Sequence, residues 1–312
     1  MKSFVIERGT ERLILPKISL GTTIAWHYED REKCFQIMDD YVKAGGNCID
    51  TARVYGESER VVGEWLKKQD RNSMILSTKG GHPPIENLHT SRLDRNSILS
   101  DFEKSIELLQ TGYIDIYFLH RDDPSLPVSE IMPVLHKLVK ERKVRFLGAS
   151  NWTSKRIEEA NQFAENHGLT PFSISQIQYS LSDATPEMIT DDTLVYMTDE
   201  EYKWYQNHQF PVMAFSSQAR GFFSKYLLNP DDSKIDQRMK TPENLRRAEL
   251  VRKLSQKYGQ TAASIVLSYL TSDSLPVSAV VGFSSLDQLQ DSLSGQDFSL
   301  NQKEWKSLNG EF

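Results

Sequence analysis

Cysteine is nearly missing from this chain: 312 residues include two, Cys34 and Cys48. They lack CxxC spacing and each falls in an apolar pattern, which predicts buried, reduced thiols and argues against a disulfide framework. A basic excess is missing too. Lys and Arg number 37 against 43 Asp and Glu, a formal net charge of -6, which leaves no surplus to neutralise a phosphate backbone, so no nucleic acid is expected as a partner. No apolar run approaches a membrane span, and the opening MKSFVIERGT interrupts its apolar residues with Glu7 and Arg8, unlike a signal h-region. No membrane is therefore expected as a partner, and the location is expected to be cytoplasmic.

Two motifs are absent as well. GxGxxG after an early strand would mark an open doubly wound sheet, and no such string occurs. An HxH pair at a strand end would mark a metal-dependent hydrolase barrel, and none is present. No metal is expected.

What is present is a regular alternation. SFVIERGTERLIL reads as a hairpin outside it, with an Arg-Gly-Thr turn. ISLGTTIAW then reads as a first barrel strand ending near Trp26, followed by a helix from Asp30 to Ala44 that Gly45-Gly46 stops. From there strand and helix alternate: NCIDT, a 58–69 helix, SMILST, a 94–111 helix, YIDIYFL, a 128–141 helix, VRFLGAS and a 153–167 helix. SISQIQY, PVMAFSS and SAVVGFS continue the series, separated by helices around 199–209 and 243–271. Eight strands in βα units predict an α/β fold, a (β/α)8 TIM barrel forming a single domain over 1–312. Insertions at Gly80–Arg92 and Arg220–Pro242 read as long loops at the C-terminal face, where barrel active sites sit.

The chemistry gathers at three successive strand ends. GGNCIDTARVYG delivers Asp50 and Tyr55, SMILST leads into Lys79, and YIDIYFL into His120. A phenol titrates near pH 10 and works as an acid near neutrality only beside a cation. Lys79 would be that cation, with Asp50 as its partner. Taken singly, Asp50 reads equally as a turn or cap residue, Lys79 as a solvated charge and His120 as a core histidine. Four such groups at converging strand ends make a proton-transfer set. Asp122-Asp123, ahead of Pro124, read as a turn.

The string from Gly45 to Gly63 resembles the aldo-keto reductase signature GxxxxDTAxxYGxSExxxG, matched by Gly45, Asp50, Thr51, Ala52, Tyr55, Gly56, Ser58, Glu59 and Gly63. STKGG, FLHRDDP and LGASNW fall where that family has its Lys, His and Ser-Asn pair, and the likeness runs from about Ile18 to about Leu293. The resemblance implies a hairpin across the barrel floor and hydride transfer between a nicotinamide cofactor and a carbonyl or alcohol, with Tyr55 as general acid and His120 orienting the carbonyl oxygen. It implies cofactor contacts from Ser150, Asn151 and Gln176 and stacking by Phe215, where the family more often has Tyr. Ser216, Gly282, Ser284 and Gln288 fall in the family's cofactor loops. NADP (NADPH) is the expected cofactor. VVGFSSLDQLQDSL, however, lacks the Lys or Arg that usually meets the 2′-phosphate, so use of NAD (NADH) is expected too, unless Arg220, Lys225 or Arg246 reaches it from the second insertion. Trp26, Tyr28, His82 and Trp152 are expected to line the pocket for a small-molecule carbonyl or alcohol substrate. A nucleotide-binding barrel with a regulatory or partner-binding role is the competing reading, against which the complete four-residue set argues.

Overall fold

The computed structural model describes residues 1–22, 28–183, 188, 191–283 and 285–310. The leading pair of apolar runs forms β1 (Ser3–Arg8) and β2 (Glu11–Pro16), an antiparallel hairpin turned at Gly9 with φ of 58°. Alternation along both strands puts Ile6, Leu13 and Leu15 on one buried face. They pack against Cys48, Ile75, Ile116, Phe118, Phe146, Ile174 and Met213, which come from strands of the barrel. The hairpin thus plugs the barrel floor as expected.

The eight barrel strands are β3 (Ile18–Gly21), β4 (Cys48–Asp50), β5 (Ile75–Gly80), β6 (Ile114–Leu119), β7 (Val144–Ser150), β8 (Ile174–Gln178), β9 (Val212–Phe215) and β10 (Val277–Gly282). They pair in parallel in chain order, and β10 closes on β3. The (β/α)8 barrel read from the sequence is the fold. Around it lie α1 (Arg31–Lys43), α2 (Ser58–Leu66), α3 (Arg95–Leu109), α4 (Val128–Lys140), α5 (Ser154–Asn166), α6 (Asp199–His208), α7 (Phe222–Leu228), α8 (Pro242–Tyr258), α9 (Ala262–Thr271), α10 (Leu286–Leu293) and α11 (Gln302–Asn309).

Local chemistry sets the helix ends. Asp94 caps α3 by accepting from the N–H groups of Asn96 and Ser97, and Thr241 caps α8 ahead of Pro242 at its first turn. The 243–271 stretch is two helices, because Gly259 takes φ of 62° and Thr261 starts a new cap. The second insertion is partly helical: Phe222 and Phe223 are buried, which folds α7 onto the barrel instead of leaving a plain loop. Strand β3 is shorter than its apolar run, and the expected extension to Trp26 lies outside the described residues.

Gly63, the last glycine of the signature, has a packing role. A Cβ there would stand 2.2 Å from the Leu108 carbonyl oxygen, so α2 and α3 meet backbone to backbone. Both cysteines are buried and free.

Candidate active site

Asp50 ends β4, Lys79 is the penultimate residue of β5 and His120 follows β6, so three adjacent parallel strands present them at one rim. Lys79 is fully buried; its Nζ donates to Asp50 Oδ2 at 2.7 Å and to the Thr51 carbonyl at 2.8 Å. Burial by itself would lower the lysine pKa, but Asp50 and Tyr55 outweigh it and the net shift is upward. Lys79 is a fixed cation. Its Nζ lies 5.2 Å from the centre of the half-exposed Tyr55 ring.

The remaining Asp50 oxygen accepts from Ser77 Oγ at 2.7 Å and from Gln176 Nε2 at 3.1 Å. Signature residues Thr51 and Ser58 continue the polar chain: Ser58 Oγ donates to Thr22 Oγ1 at 2.6 Å and lies 3.0 Å from Thr51 Oγ1. Glu59, also in the signature, accepts from Thr78 Oγ1 at 2.7 Å and faces Arg53 at 3.6 Å. These contacts anchor both ends of the loop that carries Tyr55.

His120 is edge-on to two rings, with centroids 5.8 Å from Tyr55 and 4.8 Å from His82. Burial, then the charges of Lys79 and Arg121, hold its imidazole well below the ordinary histidine pKa, so it is neutral. Its Nδ1 is buried without a partner. A bare lone pair is cheaper to bury there than a bare N–H, which favours the Nε2–H tautomer. His82 is neutral also, lowered chiefly by burial, and its Nδ1 lies 2.6 Å from the Pro83 carbonyl.

Asn151 sits at φ of 58° just beyond β7, a left-handed turn that aims its amide across the rim. Its Nδ2 donates to the His120 carbonyl at 3.2 Å and to Ser150 Oγ at 3.1 Å, while Oδ1 accepts from Val195 N–H at 3.2 Å. Ser150 stands in register with Gln176 on β8.

Beside this rim runs a cleft of about 610 Å³, lined by Asp50, Tyr55 and Gln176 and also by Gly282, Gln288, Asp291 and Ser292. Phe215 and Ser216 form part of its wall, with Ser216 at φ of 52°, and Arg220 and Lys225 line it as well. Gln218 Nε2 donates to Ser292 Oγ at 2.9 Å. Arg246 does not line the cleft: it pairs with Glu243 and donates to the Ser307 carbonyl.

The expectation for Trp152 is not met. It is fully buried, donates from its indole N–H to the Arg121 carbonyl at 3.1 Å and packs edge-on to Phe172, so it belongs to the core beneath the rim and not to a pocket wall. Trp26, the Tyr28 side chain and Ser284 lie outside the described residues. Asp122 and Asp123 form the expected turn, with Asp123 accepting from Ser125, and Asp122 also meets Arg156 at 3.4 Å. Arg121 was missed altogether. Its only sequence signal was its place next to His120. Among the described residues no cluster of three or more His, Cys, Asp or Glu is arranged to hold a metal, and no helix is long and apolar enough to cross a membrane.

Comparison with known proteins agrees with this architecture. The model of the aldo/keto reductase family matches residues 17–310. An aryl-alcohol dehydrogenase of Pestalotiopsis microspora is 30% identical over 266 residues, 81% of this chain and 65% of that protein. A norsolorinic acid reductase of Aspergillus flavus is 28% identical over 90% of this chain and 71% of its own length. Among solved structures, an aldo/keto reductase from Klebsiella pneumoniae in complex with NADP and acetate superposes with a TM-score of 0.73 at 22% identity, covering 95% of this chain and 91% of that one.

Proposed function

Because the chain belongs to the aldo/keto reductase family, we propose that it interconverts carbonyl compounds and alcohols using a nicotinamide dinucleotide, with NADPH as the preferred cofactor. The observation that carries the reading is the buried Asp50–Lys79 pair at 2.7 Å set beneath the Tyr55 ring, with neutral His120 alongside. A bound nicotinamide supplies the hydride; the chain supplies orientation and the proton.

Tyr55 gives its proton to the carbonyl oxygen as general acid, and the Lys79 ammonium stabilises the phenolate left behind. Asp50 keeps Lys79 charged and in place. His120, as the Nε2–H tautomer, donates a hydrogen bond to the same oxygen and holds it facing the phenol. In the alcohol direction the same groups return the proton.

The amide set fits a nicotinamide carboxamide. With Nε2 engaged on Asp50, Gln176 presents Oε1 as an acceptor, and Ser150 Oγ, which accepts from Asn151 Nδ2, keeps its own hydrogen as a donor. One acceptor and one donor are what a carboxamide requires. Phe215 offers a flat face with no hydroxyl, and Ser216 turns the chain over the cleft. Gly282 and Gln288 give neutral contacts in the cleft, while Arg220 and Lys225, which line it too, bring the cations that the loop after β10 lacks. That distribution supports NADPH over NADH through Arg220 and Lys225.

For substrate class, aromatic aldehydes and aryl alcohols come first. Similar proteins are named for aryl alcohols and for norsolorinic acid, and the Tyr55, His120 and His82 rings form an aromatic wall without a formal charge. A cytoplasmic location belongs to the same proposal, since reduction of this kind draws on an intracellular cofactor pool and both thiols are free. The test is a panel of aromatic aldehydes with NADPH and NADH, followed by nicotinamide absorbance. Steady oxidation of NADPH is expected. No turnover on any aldehyde, with NADP⁺ binding intact, would leave the nucleotide-binding role in its place.

A further inference from the structure

Arg121 is 8% exposed, and a guanidinium so buried is tolerated only with acceptors around it. Its acceptors come from two distant parts of the chain. NH1 donates to the His120 carbonyl at 3.0 Å, Nε to Thr193 Oγ1 at 2.9 Å and NH2 to Asp191 Oδ2 at 3.2 Å. Asp191 in turn accepts from the Thr193 N–H at 3.0 Å, so the two loop residues form one unit around the fork of the guanidinium.

The same segment then crosses the rim. Val195 donates its N–H to Asn151 Oδ1 at 3.2 Å, its carbonyl accepts from Gln178 N–H at 3.0 Å, and Met197 N–H donates to the Gln178 carbonyl at 2.9 Å. Residues 191–197 are thus fastened at Arg121 beyond β6, at Asn151 beyond β7 and at Gln178 on β8. A second tie, His89 to Asp192 at 3.4 Å, is exposed and contributes little.

We propose that Arg121 is a positioning residue: it fastens the 191–195 segment across the strand ends, and that segment holds the Asn151 amide so that Nδ2, not Oδ1, meets the His120 carbonyl and Ser150 Oγ beside the cofactor carboxamide. The proposal rests on the role given to Asn151 above. Oδ1 and Nδ2 are nearly identical in size, so packing does not choose between them. The Val195 N–H, which requires an acceptor, and the His120 carbonyl, which requires a donor and is itself held by Arg121 NH1, choose together. Arg121 therefore acts on the cofactor through the 191–195 segment, Asn151 and Ser150 without touching it, and its charge adds to the groups that keep His120 neutral.

The experiment compares Arg121→Met with the loop-side variant Asp191→Ala/Thr193→Val and with the two combined. Hydrogen exchange of the 191–197 peptide is followed by mass spectrometry without cofactor, and NADP⁺ affinity by calorimetry. Both variants are expected to speed exchange of that peptide and to weaken NADP⁺ by about tenfold, the scale of one coupled hydrogen-bonded interaction. The KM for the aldehyde should change little, and the combined variant should be no worse than either alone. Arg121→Lys keeps the charge but not the fork, and should lose the exchange protection as well. Unchanged exchange in Arg121→Met, or wild-type NADP⁺ affinity in the loop variant, overturns the proposal. If Arg121→Met does not fold, the loop variant decides by the same criterion. Absence of NADP⁺ binding by the wild-type protein would instead remove the cofactor reading and the Asn151 role with it, while the exchange measurement would still report whether Arg121 fastens the segment.

Discussion

Gln176 Nε2 donates to Asp50 Oδ1 at 3.1 Å, while the other oxygen of the same carboxylate holds Lys79 at 2.7 Å. One buried carboxylate therefore sets both the amide proposed to meet the nicotinamide and the cation beneath the proposed acid. Cofactor placement and proton transfer are coupled through Asp50, so a change there is expected to disturb both.

Removal of the phenolic hydroxyl separates them. Tyr55→Phe keeps the ring and should leave NADP⁺ affinity near wild type while lowering kcat on the order of 10²–10⁴-fold, roughly 3–5 kcal/mol of barrier. Lys79→Met should lose comparable activity and should also leave Asp50 buried without its cation, lowering the free energy of urea unfolding by about 3–5 kcal/mol. Near wild-type kcat in the Phe variant would remove Tyr55 from the mechanism.

Acid should weaken the fold before it affects the chemistry. Burial, followed by the charges of Lys79 and Arg121, depresses His120, and burial chiefly depresses His82. Below about pH 6.5 the unfolded chain binds protons at both residues while the native chain does not. The stability is thus present above that pH and is lost as pH falls through it, by under about 1 kcal/mol for His120 between pH 7.5 and 6. Asp122, pushed up to about 6 by burial against the pull of Arg156, works in the opposite direction at lower pH. Urea midpoints at several pH values would measure the slope. kcat/KM should show no histidine inflection near 6.5; one that disappears in His120→Gln would contradict the neutral imidazole.

Cofactor choice should follow Arg220. A charge-assisted hydrogen bond contributes about 1.5–3 kcal/mol, so NADPH should be favoured over NADH in kcat/KM by roughly ten- to a hundredfold. Arg220→Gln should bring the two cofactors to within about threefold, mainly through the NADPH KM, because the contact is the same in ground and transition states. Equal weakening of both cofactors would place the guanidinium on a phosphate they share.

Gly63→Ala tests the close approach of α2 and α3. A Cβ placed 2.2 Å from the Leu108 carbonyl oxygen forces the helices apart, and stability should fall by about 1–3 kcal/mol. Activity per folded molecule should be unchanged. A variant as stable as the wild type would show that the helices shift freely.

The sequence by itself determined the barrel, a leading hairpin outside it and the adjacency of Asp50, Lys79 and His120, while the hairpin's place across the floor came from the family resemblance. Each follows from short-range pattern: apolar alternation, glycine stops, caps, and three consecutive parallel strands that must end at one rim. It placed Trp152 wrongly because it could not show whether a ring beyond a strand end turns to the mouth or to the core beneath, which the packing of Phe172 and the Arg121 carbonyl decides. Only the tertiary structure joined Gln176 to Asp50, 126 residues apart, Arg121 to Asp191, 70 apart, and Arg220 to the cleft of Gln288. Those contacts depend on the path of loops over a rim built from many strands, and a buried polar group takes whichever partner that path brings within about 3 Å.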